Sequence, residues 1–227
     1  PRASRTVPFV AKASGVSLAQ IAARCMVGES LAQQGFTEEV ELSYFTVKKP
    51  VFPFNKFPGA DPILGPEMRS TGEVMGISRS LGGAFAKGQM ATKQMLPKKG
   101  CAFLSVRDAD KRRAAVVAKM LLDCGFTLIA TQGTAEALMH QEIMVTPVNK
   151  VHEGRPHIVD MIKNEQVQFI VNTTEGEQAV MDSAIIRRSA VGNRVFYNTT
   201  LAGAEAACRA LQHTNELTVQ SLQELHA

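Results

Sequence analysis

In the second half of the chain, short apolar runs alternate with stretches of helical spacing. Residues 102–106, 127–130, 168–171 and 195–197 read as strands because each is a brief apolar run. Between them, Ala114, Val117 and Leu121 recur at helical spacing within 108–124, and Gly125 follows as a stop. Further helical stretches cover 158–163, 178–188 and 201–211. Strand and helix in alternation predict an α/β fold with a doubly wound parallel sheet.

The first half is less regular. Residues 17–27 form a helix pattern with Leu18, Ile21, Ala22 and Cys25 on one face. Residues 45–57 look extended but are broken by Pro50 and Pro53 and followed by Pro58, which confines them to an edge strand leading into a loop. The stretch 78–95 reads as a helix weakened by Gly82, Gly83 and Gly88, and it runs into Leu96-Pro97-Lys98-Lys99-Gly100. That cluster divides the chain into a first part, 1–95, and a second, 96–227.

Polar segments follow the strand-like runs at three places: Thr131-Gln132-Gly133-Thr134, Asn149-Lys150 and Asn172-Thr173-Thr174. If the strands are parallel neighbours, these segments meet at one sheet edge, where hydroxyls, amides and a lysine suit an anionic ligand. Lys111 adds to this, since a cation in the first turn of a helix opposes the macrodipole unless an anion is near. Each feature also has a plainer reading: Thr134 as a helix cap, Lys111 balanced by Asp108 and Asp110, and Asn172-Thr173-Thr174 as an Asx or Ser/Thr turn.

Composition narrows the field. With 227 residues, 45% of them apolar, the chain can fill two modest domains. It has no apolar run long enough for a membrane span and no signal-like segment, which predicts a cytoplasmic protein without membrane contact. It opens on Pro1 rather than methionine, as a fragment would. Four dispersed cysteines read as reduced structural thiols. A net charge of +4 carried on dispersed Lys and Arg, with two Tyr and no Trp, argues against nucleic acid. His152 and His157 lack a third ligand for zinc, and nothing gives them or Glu153 a substrate proton, so a structural or ligand-positioning role is expected there.

Three stretches carry a resemblance to a known family: Pro1-Arg-Ala-Ser-Arg-Thr-Val-Pro-Phe9, the run from Gly59 through Gly65-Pro-Glu-Met-Arg-Ser-Thr-Gly-Glu73 to Met75, and Asn149-Lys-Val-His-Glu-Gly-Arg-Pro-His157. Over its whole length the chain resembles the C-terminal portion of carbamoyl-phosphate synthase large subunits. The resemblance implies that 1–95 completes a second ATP-grasp domain and that 96–227 is a methylglyoxal-synthase-like regulatory domain. It implies a ligase of pyrimidine and arginine biosynthesis that makes carbamoyl phosphate from bicarbonate, ammonia released from glutamine, and two ATP. The partners would be a small glutaminase subunit, the rest of the large subunit and, in some states, further copies of the enzyme.

By the same resemblance Arg2 and Arg5 lie near the transferred groups, while the asparagine that helps hold magnesium would precede Pro1. ATP and Mg therefore belong to the intact enzyme, and the fragment alone is expected to be inactive and to bind neither. Ser105, Lys111, Thr131, Thr134, Lys150, Asn172 and Thr174 match a pocket for UMP as inhibitor or IMP as activator. Tyr197 and Thr199 match an ornithine region in which Lys49 and Asn198 replace acidic residues. Glu177 stands where enteric members carry an arginine, and Glu175 adds a second negative charge. Two other readings stay open: a stand-alone methylglyoxal synthase, whose Gly-Gly-Asp-Gln-Gln stretch is absent here, and a non-enzymatic interaction module.

Overall fold

A computed structural model of the chain describes residues 6–52, 54, 72–175, 177–214 and 218–226. Arg2, Arg5 and the family-like stretch from Gly59 to Thr71 lie outside the described residues. The first part opens with two exposed helices, α1 (Thr6–Ser14) and α2 (Leu18–Met26), in which Ala13 alone is buried. Tyr44 ties the segment after them back to α1 by donating to the Ala13 carbonyl at 2.6 Å. Strand β1 (Phe45–Val51) pairs antiparallel with β2 (Gly72–Ser78), so among the described residues both are edges, where Pro50 is accommodated. β2 was not foreseen, because its two glycines blunt the strand pattern.

The helix expected over 78–95 is shorter. The Ser80 hydroxyl accepts from Gly83 N at 3.1 Å and starts α3 at Leu81, while Lys93, at φ 62°, lies beyond its end at Ala91. The glycines that weaken α3 in sequence let it pack closely. A side chain at Gly76 would run into the Ala84 carbonyl and the Gly88 amide, and one at Gly82 would meet the Arg209 carbonyl at 2.7 Å. α3 is therefore wedged between β2 and α8 (Leu201–Leu211).

The second part is a five-stranded sheet. Its strands are β3 (Gly100–Ser105), β4 (Phe126–Thr131), β5 (Thr146–Val148), β6 (Phe169–Asn172) and β7 (Phe196–Asn198), in the order β5-β4-β3-β6-β7, with every pairing parallel. Both faces are covered, so alternate residues of each strand enter different cores. Ala102, Leu104, Leu128, Ala130, Phe169 and Val171 join the core beneath α4 (Lys111–Asp123), α5 (Gln132–Met139) and α8. Phe103, Ile129 and Ile170 join the opposite core with residues of α6 (Ile158–Lys163) and α7 (Glu177–Gly192). A short helix, α9 (Leu222–His226), closes the described chain. None of the described helices is long and apolar enough to cross a membrane.

Candidate functional site

From β3 the chain winds outward through β4 to β5, then crosses back to place β6 on the other side of β3. Strand order thus reverses between β3 and β6, the place where open α/β sheets form a ligand crevice at their carboxyl ends. The register sets Ser105 opposite Asn172 and Thr131 opposite Val148, so the ends of four strands reach one edge. A cavity of about 420 Å³ opens there.

Ser105, Lys111, Thr131, Thr134, Lys150 and Thr174 all border this cavity. Asn172 lies one layer below: it is buried, and its side chain is hydrogen-bonded to the Ser183 hydroxyl at 3.2 Å. Ser183, to which Asn172 is bonded, lines the cavity in its place, and Thr173 lines it from the loop just past β6. The Thr173 N–H donates to the Ser105 carbonyl at 3.0 Å and its hydroxyl accepts from Arg107 N at 3.2 Å, which joins the loops after β3 and β6.

Capping by Thr134 is not what the structure shows. The cap position is Thr131, whose side chain makes no capping bond, and Thr134 lies within α5. The Thr134 hydroxyl accepts from Val106 N at 3.2 Å, and the Thr131 hydroxyl lies 3.2 Å from it and 3.4 Å from Ser105 Oγ. The three hydroxyls therefore form one cluster, and the first-turn N–H groups of α5 have no side-chain cap. A helix start of this kind favours a bound anion. Gly133 keeps the space open: a Cβ there would come within 3.3 Å of the Lys111 ammonium.

Among the described residues, three cations and two carboxylates border the cavity: Arg107, Lys111 and Lys150, with Asp108 and Glu175. Lys111 Nζ is 2.7 Å from Asp108 Oδ1. The hydrogen bond from Lys111, then its charge and that of Lys150, hold the Asp108 carboxyl below the usual range. Arg107 donates to Asp110 at 2.9 Å, which raises the Arg107 pKa, and it faces Glu175 at 3.6 Å. Arg107 was absent from the expected site, whereas Thr173 belongs to one of the expected polar segments and Glu175 is the expected second negative charge. The signal that could have found Arg107 is charge placed two residues past the end of β3.

The remaining expected residues lie elsewhere. Tyr197 packs, half-buried, against the second core and Thr199 is exposed; neither borders the cavity. His157 begins α6 in a capping box, accepting from Asp160 N while Asp160 accepts from His157 N, which is a structural role. Among the described residues no group of three or more His, Cys, Asp and Glu side chains is arranged to hold a metal ion.

Residues 113–199 match the sequence model of the MGS-like domain family. Across 100% of its length the chain is similar to proteins named carbamoyl phosphate synthase large chain: 58% identical to that of Halomonas eurihalina, 56% to that of Pseudomonas putida and 55% to that of Ralstonia nicotianae. The match is to the C-terminal region of those proteins. The chain spans about a fifth, 21%, of their length. The match to the MGS-like domain model thus falls on the parallel α/β sheet, within a sequence similar throughout to the C-terminal region of that large chain.

Proposed function

We propose that this chain is the C-terminal regulatory part of a carbamoyl phosphate synthase large chain, and that it binds a nucleoside monophosphate such as UMP or IMP. One observation carries the reading: Ser105, Thr131, Thr134, Lys111 and Lys150 converge at the sheet's reversal point around the uncapped start of α5. Phosphate oxygens accept from the first-turn N–H groups and from the threonine hydroxyls. Lys111 and Lys150 supply the charge. Thr173 and Thr174, on the neighbouring loop, are placed to hydrogen-bond the nucleoside, and Asn172 with Ser183 fixes that loop from below.

Regulation follows if the nucleotide binds one state of the intact enzyme more tightly than another. In this proposal the division near residue 95 separates the end of an ATP-grasp domain from the regulatory domain. ATP and magnesium chemistry falls to the rest of the large chain together with Arg2 and Arg5, and glutamine hydrolysis falls to a small subunit. Calorimetric titration of the chain with UMP and IMP tests the reading. Heat of binding for at least one nucleotide, weakened about tenfold or more by Lys150→Ala, is expected, since charge-assisted bonds contribute ~1.5–3 kcal/mol. No heat for either, or binding indifferent to Lys150→Ala, contradicts it. The chain alone is expected to form no carbamoyl phosphate.

A further inference from the structure

Two of the cations at the cavity are already engaged by carboxylates of this chain. Asp108 holds Lys111 at 2.7 Å, and Arg107, whose Nε is bonded to Asp110 at 2.9 Å, turns its outer nitrogen to Glu175 at 3.6 Å, so that Glu175 is the partner a ligand can displace. Glu175 belongs to the loop after β6 and Arg107 to the loop after β3, so their ion pair spans the two strands between which sheet order reverses. The Arg107 backbone is fixed there by the Thr173 hydroxyl at 3.2 Å. Its side chain is 42% exposed and that of Glu175 is 67% exposed, so both can exchange partners without burying a charge.

Resting on the reading of this cavity as a phosphate site, we infer that Glu175 and Asp108 are internal counter-ions that set its affinity and ligand class: a ligand binds by taking Arg107 and Lys111 from them. A monoanion offers Arg107 little that Glu175 does not already supply. A phosphate monoester carries nearly two charges at neutral pH and three terminal oxygens, so it competes where a monoanion does not. The favoured class is therefore the dianionic phosphate monoester, and each carboxylate keeps its affinity lower than the cations alone would allow. Because the pairs are exposed and screened, the effect of each is a factor of about two to five.

The test is calorimetric titration of the full chain with UMP, with the methyl ester of UMP as a monoanion of nearly the same shape, and with inorganic phosphate. The wild type is compared with Glu175→Gln, Arg107→Met and the double variant, and thermal unfolding verifies that each is folded. Glu175→Gln is expected to tighten UMP and phosphate by about two- to fivefold, a gain that disappears when Arg107 is also replaced. The wild type is expected to bind the methyl ester more weakly than UMP. Unchanged or weaker binding by Glu175→Gln overturns the inference, as does a gain that persists without Arg107 or equal affinity for the ester. If wild type and Glu175→Gln both bind neither UMP nor phosphate, the phosphate reading fails and the inference falls with it. Wild-type binding that Glu175→Gln leaves unaltered overturns the inference alone.

Discussion

A methyl group added at Gly133 would lie 3.3 Å from Lys111 Nζ, inside the space a bound phosphate would share. Gly133 is a helical residue at the start of α5 and its φ is not positive, so alanine suits the backbone and even favours the helix. Gly133→Ala is therefore expected to hold or raise the melting temperature while weakening nucleotide binding several-fold, the two read by calorimetry on one sample. Lys49 offers a second test at this scale. Its ammonium lies over the Phe85 ring at 5.5 Å, and burial lowers its pKa from 10.5 to about 8. Between those values the unfolded chain holds the proton and the folded chain does not, so stability rises with pH across that window, by on the order of 1–3 kcal/mol. Urea unfolding at pH values on either side of the window should show the rise, and Lys49→Met should reduce it.

Among the elements, α3 is the one whose packing depends most on glycine. It touches β2 where a side chain at Gly76 would strike the Ala84 carbonyl, and α8 where one at Gly82 would strike the Arg209 carbonyl. Backbone atoms cannot swing aside as a flexible side chain can, so Gly76→Ala is expected to destabilise the chain by about 1–3 kcal/mol, seen as an earlier urea midpoint. The same glycines show why some elements were legible and others were not. α6 and α8 were foreseen to the residue because an apolar face at helical spacing coincides with a capped start, at His157 and at Thr200. α3 was overextended because glycine and alanine leave little periodicity to read. β5 is implied by the place of Asn149-Lys150 after a strand-like run but had no bounds, because three residues, one of them Pro147, at the edge of a sheet carry almost no alternation. Of the residues that the strand-end pattern singles out, Thr131, Thr134, Lys150 and Thr174 border the cavity, as does Ser105, which only the family resemblance names; Asn172 does not, because its amide is turned to Ser183 of α7, a partner that no local pattern reveals.

For the molecule as a whole, the central proposal is that the sheet's reversal point holds the phosphate of a nucleoside monophosphate. Strand order, register and the uncapped start of α5 bring the donors to that one edge, and α4, which carries Lys111, packs against α8, on which α3 also rests. The Arg113–Glu205 ion pair at 2.7 Å joins α4 to α8 on the surface, so a shift of α4 has a physical route toward the first part of the chain. The most direct measurement is amide NMR of the isotopically labelled chain during titration with UMP and then IMP. The account predicts saturable shifts centred on the N–H groups of Gly133, Thr134, Lys111 and Thr173. Shifts centred instead on the opposite edge of the sheet around Asn193–Phe196, or no shifts at saturating nucleotide, would contradict it.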